Sequence, residues 1–309
     1  MSGIAGQGEF DDYRAIGTGV AILPSVTVVI PAMDEARNLA HVFATIPEWV
    51  HEIVLVDGHS TDGTVAIAKK LYPDIRIVHQ QGRGKGDALQ AGFAVAKGDI
   101  IVMMDADGSS DGKEIPRFVA ALTTGADFAK GSRFASGGGS DDITFFRRLG
   151  NGFLSGLVNI LFGTRYTDLC YGYNAFWAEH LPKLNLDCDG FEIETVMNVR
   201  AAKAGLAIHE VPSYEYLRLH GMSNLNVVRD GMRIAKFILQ ERLTGQSAKK
   251  PPRLDDVTKD LPTVPPLARA REGPVTPGAM LPVGRCERDR HAPQWRVNSS
   301  TPGGSLTFK

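Results

Sequence analysis

Between Val26 and Asp107 the chain repeats one pattern four times: a run of β-branched and aliphatic residues, a polar or glycine-rich turn, then an apolar pattern of helical period. The runs are 26–30, 53–56, 75–78 and 100–104. Strands that are apolar throughout, rather than at every second residue, are covered on both faces. Strands alternating with helices fold as parallel strands joined by right-handed crossovers. The predicted fold class is therefore α/β, a mostly parallel Rossmann-like sheet flanked by helices.

Each run ends in residues that carry chemistry. Pro31-Ala32-Met33-Asp34-Glu35 follows the first, residues 57–64 the second, residues 80–85 the third and Asp105-Ala106-Asp107 the fourth. In a parallel sheet these ends share one edge, where open α/β sheets bind ligands. Asp105 and Asp107 suit Mg²⁺ or Mn²⁺, since Mg²⁺ is held by one or two carboxylates plus substrate phosphates. Turn chemistry alone also explains aspartates after a strand. The convergence of four strand ends is what favours a binding edge.

Beyond Asp107 the pattern predicts a helix over 114–122, a short strand over 128–130 and a mobile glycine-rich loop over 135–142. An unusually apolar helix follows over 145–162, then turn plus strand over 166–176, a helix over 191–204, a strand over 207–212 and a last helix over 225–243. Past Gly245 the composition shifts: ten of the seventeen prolines lie between Pro251 and Pro302, without apolar periodicity. The predicted organisation is a flexible leader (1–24), one folded domain (25–245) and a Pro-rich disordered tail (246–309).

A formal net charge of -1 supplies no basic field for nucleic acid. Cys170, Cys188 and Cys286 match neither a zinc pattern nor a disulfide framework, which points to a reducing compartment. Residues 1–14 lack the apolar core of a secretion signal, and no run reaches the ~20 apolar residues of a membrane span. The expectation is a cytoplasmic protein able to lie at the inner face of the membrane.

The ordered set of motifs resembles family 2 glycosyltransferases of the GT-A fold, above all the branch of polyprenyl (dolichyl) phosphate mannosyl- or glucosyltransferases. It comprises Val29-Ile30-Pro31-Ala32 with Glu35, Asp57-Gly58 with Ser60-Thr61-Asp62-Gly63-Thr64, Gly84-Lys85-Gly86, Asp105-Ala106-Asp107 and Gly131-Ser132-Arg133. Thr167-Asp168-Leu169 with Gly172, Phe191-Glu192-Ile193-Glu194 and Glu210-Val211-Pro212 complete it. The resemblance spans about 25–243. Two pieces depart from the family: many members have two acidic residues where this chain has Asp57-Gly58, and the usual Thr-Asp-x-x-Ser-Gly-Phe reads Thr167-Asp168-Leu169-Cys170-Tyr171-Gly172-Tyr173 here.

The resemblance implies a metal-dependent inverting transfer of a hexose from a nucleotide sugar, of the GDP-mannose or UDP-glucose type, to a polyprenyl phosphate at the membrane surface. A sugar or small-molecule hydroxyl is the alternative acceptor, and a non-catalytic nucleotide-sugar-binding protein the alternative of another class. Protein partners are left open. Asp107 would ligate the metal, and Asp105 the metal, its water or the ribose. Pro31, Ala32, Glu35 and Ala106 would wall the nucleoside, with Asp57 near base and ribose. Lys85, in a glycine-rich loop at a helix start, would meet phosphate. Arg133 and Arg147, with Arg148, would hold the acceptor phosphate through guanidinium forks. Arg218 and Ser223 would touch the diphosphate or the acceptor. A phosphate acceptor needs no general base, whereas a hydroxyl does; Asp168, Asp189, Glu192 and Glu194 are the candidates.

Plainer roles compete. Glu35 can be a helix N-terminal charge, Arg147-Arg148 a solvated pair, and Asp62 a capping residue. The apolar helical stretch over 153–162 can be core or can lie in a membrane interface.

Overall fold

The computed structural model describes residues 23–221 and 227–243. Seven strands form one sheet: β1 (Val26–Ala32), β2 (Glu52–Asp57), β3 (Arg76–His79), β4 (Ile100–Met103), β5 (Phe128–Ser132), β7 (Asn174–Trp177) and β8 (Ile208–Pro212). Their order is β3-β2-β1-β4-β7-β5-β8. The first four are mutually parallel, as predicted. β7 runs antiparallel between β4 and β5. Two short parallel strands, β6 (Gly139–Ser140) and β9 (Tyr214–Glu215), form a separate ribbon.

Alternation along each strand divides the core into layers. Val28 and Ile30 of β1, Leu55 of β2 and Val102 of β4 face one layer. There they meet Leu39 and Val42 of α1 (Leu39–Thr45), Ala68 of α2 (Thr64–Leu71) and Phe118 of α4 (Ile115–Thr123). Val29, Val54, Val56 and Ile101 face the other, against Leu89 and Phe93 of α3 (Lys85–Val95) and Val196 and Met197 of α7 (Ile193–Lys203). A third cluster joins α5 (Phe145–Phe162) to α7 and α8 (Val227–Leu243) through Leu154, Val158, Val199, Ile234 and Ile238. The one-turn helix α6 (Leu181–Leu184) completes the element set.

The chain moves outward from β1 to β2 and β3, then returns to the other side of β1 to lay down β4. The strand order therefore reverses between β1 and β4. A crevice opens at the carboxyl ends of strands at such a point. Glu35 and Asp105-Ala106-Asp107 follow these two strands.

Several local expectations change. The segment 135–142 is not only loop, because Gly139 and Ser140 pair with Tyr214 and Glu215. The backbone approaches too closely for side chains there: a Cβ at Gly138 would meet backbone oxygens of Ser132 and Ser213, and one at Gly139 the Tyr214 ring. α7 begins at Ile193, so Glu192 sits at its cap and not within it. The strand within 166–176 is confined to β7. Ser223, Cys286, nearly all of the leader and the whole tail lie outside the described residues.

Candidate active site

The loop after β1 is fixed first. Asp34 adopts φ 57° and accepts from the Thr61 amide at 2.7 Å. Asp62 accepts from the Ala36 and Thr64 amides at 3.0 and 2.9 Å. Asp62 thus ties the loop after β1 to the start of α2, a structural role of the capping kind. Glu35 is held by its own amide, which donates to Thr64 Oγ1 at 2.9 Å. Its carboxylate receives Asn38 Nδ2 and, at 3.2 Å, Arg218 Nη1. Burial, helped by the Asp107 and Asp105 charges, pushes the Glu35 carboxyl above its ordinary range despite Asn38 and Arg218. Asp57 is buried at the end of β2, 3.2 Å from His79 Nδ1, and the Gly58 amide donates to the Ala32 carbonyl at 2.8 Å.

The glycine-rich loop before α3 does not present a free helix N-terminus. The amides of Gly86 and Asp87 both donate to the Asp189 carbonyl, at 2.9 and 3.4 Å. A Cβ at Gly84 or Gly86 would run into the backbone of Asp189 or Cys188. This close seating aims Lys85 inward, where Nζ lies 2.6 Å from Asp105 and 2.8 Å from Glu194. Burial works against the ammonium charge, but Asp105 and Glu194 outweigh it and hold the group well above lysine's ordinary value. Gly172 borders the cluster: a Cβ there would stand 2.8 Å from Lys85 Nζ.

Asp107 accepts from the Ser109 amide at 2.9 Å and from Arg218 Nη2 at 2.8 Å. The segment bearing Arg218 crosses this loop. Tyr216 and Leu219 amides donate to the Ser109 and Asp107 carbonyls at 2.8 and 3.3 Å. The His220 carbonyl accepts from Asn38 Nδ2 at 3.2 Å. Gly108, at φ 79°, leaves room for the Leu219 side chain.

Glu35, Lys85, Asp105, Asp107, Glu194 and Arg218 therefore form one cluster at the switch point. Its four carboxylates share two cations, leaving two negative charges over. The oxygen donors of Asp105 and Asp107 fit a hard divalent cation that substrate phosphates complete. Among the described residues no group of three or more His, Cys, Asp or Glu side chains makes a full protein cage.

Arg133 and Asp168 come together as a buried pair beside this cluster. Arg133 Nε and Nη2 donate to Asp168 at 2.7 and 3.0 Å, and Nη1 donates to Glu215 at 3.0 Å. The pair's side chains are 4% and 0% exposed, so the Arg133 fork is already filled. Arg147 pairs with Asp142 at 2.8 Å. Arg148 is exposed, with its guanidinium 5.3 Å from the Phe134 ring centroid. Glu192 lies 3.6 Å from Arg233, away from Glu194, and Asp189 is exposed. Sequence reasoning does not single out Asn38, which bridges Glu35 and the His220 carbonyl; its only local signal is a position three residues after Glu35.

Residues 27–179 match the profile of "Glycosyl transferase family 2". The chain is 32% identical over 210 residues to glycosyltransferase AglJ of Haloferax volcanii, covering 67% of this chain and 68% of that protein. It is 32% identical over 233 residues to polyprenol monophosphomannose synthase of Mycolicibacterium smegmatis, covering 70% of this chain and 88% of that protein. In fold it resembles glucosyl-3-phosphoglycerate synthase from Mycobacterium tuberculosis, crystallised with Mn²⁺, UDP and glucosyl-3-phosphoglycerate. That likeness has a TM-score of 0.55 and 23% identity, over 72% of this chain and 80% of that one.

Proposed function

This chain belongs to glycosyl transferase family 2 and is a glycosyltransferase, and from that premise we propose that it moves a hexose from a nucleotide sugar to a polyprenyl phosphate. The observation that carries the reading is the charge cluster at the β1–β4 switch point. Asp105 and Asp107 would hold Mg²⁺ or Mn²⁺, which supplies Lewis-acid neutralisation of the departing nucleoside diphosphate. Pro31, Ala32, Glu35, Asp57 and Ala106 line the donor side. Arg218 would exchange Asp107 for the diphosphate, whose oxygens suit a guanidinium fork. Lys85 fixes Asp105 against Glu194, so Asp105 meets its ligand already oriented.

The acceptor reading draws on two supports. One is the polyprenol-phosphate chemistry in the name of the Mycolicibacterium smegmatis relative. The other is the state of the carboxylates. A phosphate acceptor is already an anion and attacks the anomeric carbon without a base, in line and with inversion. Asp168, the carboxylate at the family's acceptor position, is sealed against Arg133 and supports the acceptor wall. Glu194 is buried against Lys85. Arg148, exposed, and Arg147, in exchange for Asp142, would receive the acceptor phosphate, with Arg133 bracing Asp168 behind them.

The test is transfer of labelled sugar into the organic phase. Full-length protein is incubated in detergent with GDP-mannose, UDP-glucose or related donors, Mn²⁺ or Mg²⁺, and polyprenyl phosphate. Label is expected with the lipid phosphate and not with the free polyprenol. Transfer to the alcohol, or no lipid product with any donor, overturns the acceptor reading. Loss of transfer on chelation, restored by Mn²⁺, is expected for the metal.

A further inference from the structure

α5 and α8 lie against each other through Leu154, Val158, Ile234 and Ile238, yet their outer sides are also apolar. Phe145 and Phe146 are each 74% exposed. Leu149 and Phe153 continue the same helical face, and Val228 and Met232 extend it onto α8. The two sets are contiguous, since Phe146, Leu149, Phe153 and Val228 line one shallow depression. Large contiguous apolar surface on a folded chain marks an interaction site.

Charge on this face has one sign. Arg148 of α5 lines a depression with Phe145, Leu149 and Phe153, and Lys236 of α8 is exposed. α5 contains no acidic residue. The acids of α8 turn inward: Asp230 is buried, and Glu241 is bound by Arg200 and Lys203. Helices with an apolar face bordered by Lys and Arg bury that face in the acyl boundary and hold anionic headgroups at its rim. Two-fold pairing with a second copy would set the Arg148 and Lys236 groups of both chains against one another with no carboxylate of α5 or α8 turned outward between them.

We infer that the outer face of α5 and α8 docks the protein on an anionic bilayer surface. The face adjoins the site. The first turn of α5 carries Arg147, paired with Asp142, and Arg218 precedes α8 in the chain. A docked chain meets its acceptor with the phosphate at the headgroup level, beside Arg148. The value of this to catalysis rests on the lipid-phosphate reading above; the docking does not.

The experiment is co-sedimentation of the full chain with phosphatidylcholine vesicles, with and without phosphatidylglycerol, none containing polyprenyl phosphate. Binding is expected to the anionic vesicles only, and to weaken with salt. The double variant Phe146→Ser, Leu149→Ser, which adds no charge beside Arg147 and Arg148, is expected to lose at least about tenfold in binding, the cost of no longer burying two large apolar groups. Its circular dichroism and its transfer to a short-chain polyprenyl phosphate in detergent should match those of the parent. Vesicle binding unchanged by the variant, or no binding by the parent, overturns the assignment. So does a parent dimer in sedimentation velocity that the variant dissociates without any vesicle binding. If binding follows the face but no lipid phosphate is glycosylated, the docking stands and the acceptor reading falls.

Discussion

Arg218 donates from Nη2 to the Asp107 carboxylate at 2.8 Å while Nη1 holds Glu35 at 3.2 Å. The second aspartate of Asp105-Ala106-Asp107 is thus neutralised by a residue from the far end of the folded domain. Any divalent cation must displace this guanidinium. In Arg218→Gln the competing charge is gone, so Mn²⁺ should bind the donor-free chain about two- to five-fold more tightly, as expected for a partly exposed ion pair worth roughly 0.4–1 kcal/mol. Titration calorimetry reads this directly. Transfer by the same variant should fall, because the diphosphate loses its fork. Unchanged Mn²⁺ affinity would mean that Arg218 does not guard the metal site.

Gly172 tests the other half of the cluster. A Cβ there would approach Lys85 Nζ at 2.8 Å, Glu194 Oε1 at 3.2 Å and Asp105 Oδ2 at 3.3 Å. All three are side-chain ends, so a methyl group displaces the ion pairs and spares the backbone. Gly172→Ala is expected to unfold at a somewhat lower urea concentration, because buried ion pairs are disturbed, and to transfer sugar roughly tenfold or more slowly, in keeping with the cost of misplaced reacting groups. A lowered urea midpoint with normal turnover would assign Gly172 to packing alone.

The contrast between these positions shows what the sequence made legible. Asp105-Ala106-Asp107 is readable because a buried strand and two carboxylates are contiguous, and the alternation of strands and helices places that strand end. α5 is readable because its period survives through eighteen residues, Phe145–Phe162. The partners of Lys85 are not readable: Glu194 arrives from another helix, and only the seating of Gly84 and Gly86 on residues 188–189 aims the lysine at it. The filled fork of Arg133 is invisible for the same reason, since Asp168 comes from a loop and Glu215 from β9. The antiparallel β7 is hidden because a four-residue strand, Asn174–Trp177, carries no record of its direction.

The Arg133–Asp168 pair should be felt first in stability. Its side chains are 4% and 0% exposed, and removing one partner strands a buried charge. Asp168→Ala is expected to cost about 3–5 kcal/mol, measured by urea unfolding. The double replacement Arg133→Met, Asp168→Leu should cost less, because the one carboxylate it deprives of Arg133, Glu215, keeps the Ser140 hydroxyl as a donor. If Asp168→Ala keeps full stability and loses only transfer, Asp168 acts on substrate and not through Arg133.

The same pair sets an acid limit. Burial pushes the Asp168 carboxyl up, but the hydrogen bonds and charge of Arg133, with Lys130 nearby, outweigh it and hold the group below its ordinary value of 3.8. A depressed carboxyl binds fewer protons in the folded chain than in the unfolded one. Its contribution is therefore complete above the unfolded value of about 3.9 and drains as pH falls from there through the lower folded value. Glu114 works in the opposite sense, since burial raises its carboxyl despite Ser213 and Tyr214. Comparing the parent with the Arg133→Met, Asp168→Leu chain cancels Glu114 and isolates Arg133 with its two carboxylate partners, Asp168 and Glu215. Between roughly pH 5 and pH 2 the parent should lose unfolding free energy more steeply than the double variant, as read from urea midpoints at each pH. Parallel slopes in the two chains would place the acid sensitivity elsewhere in the protein.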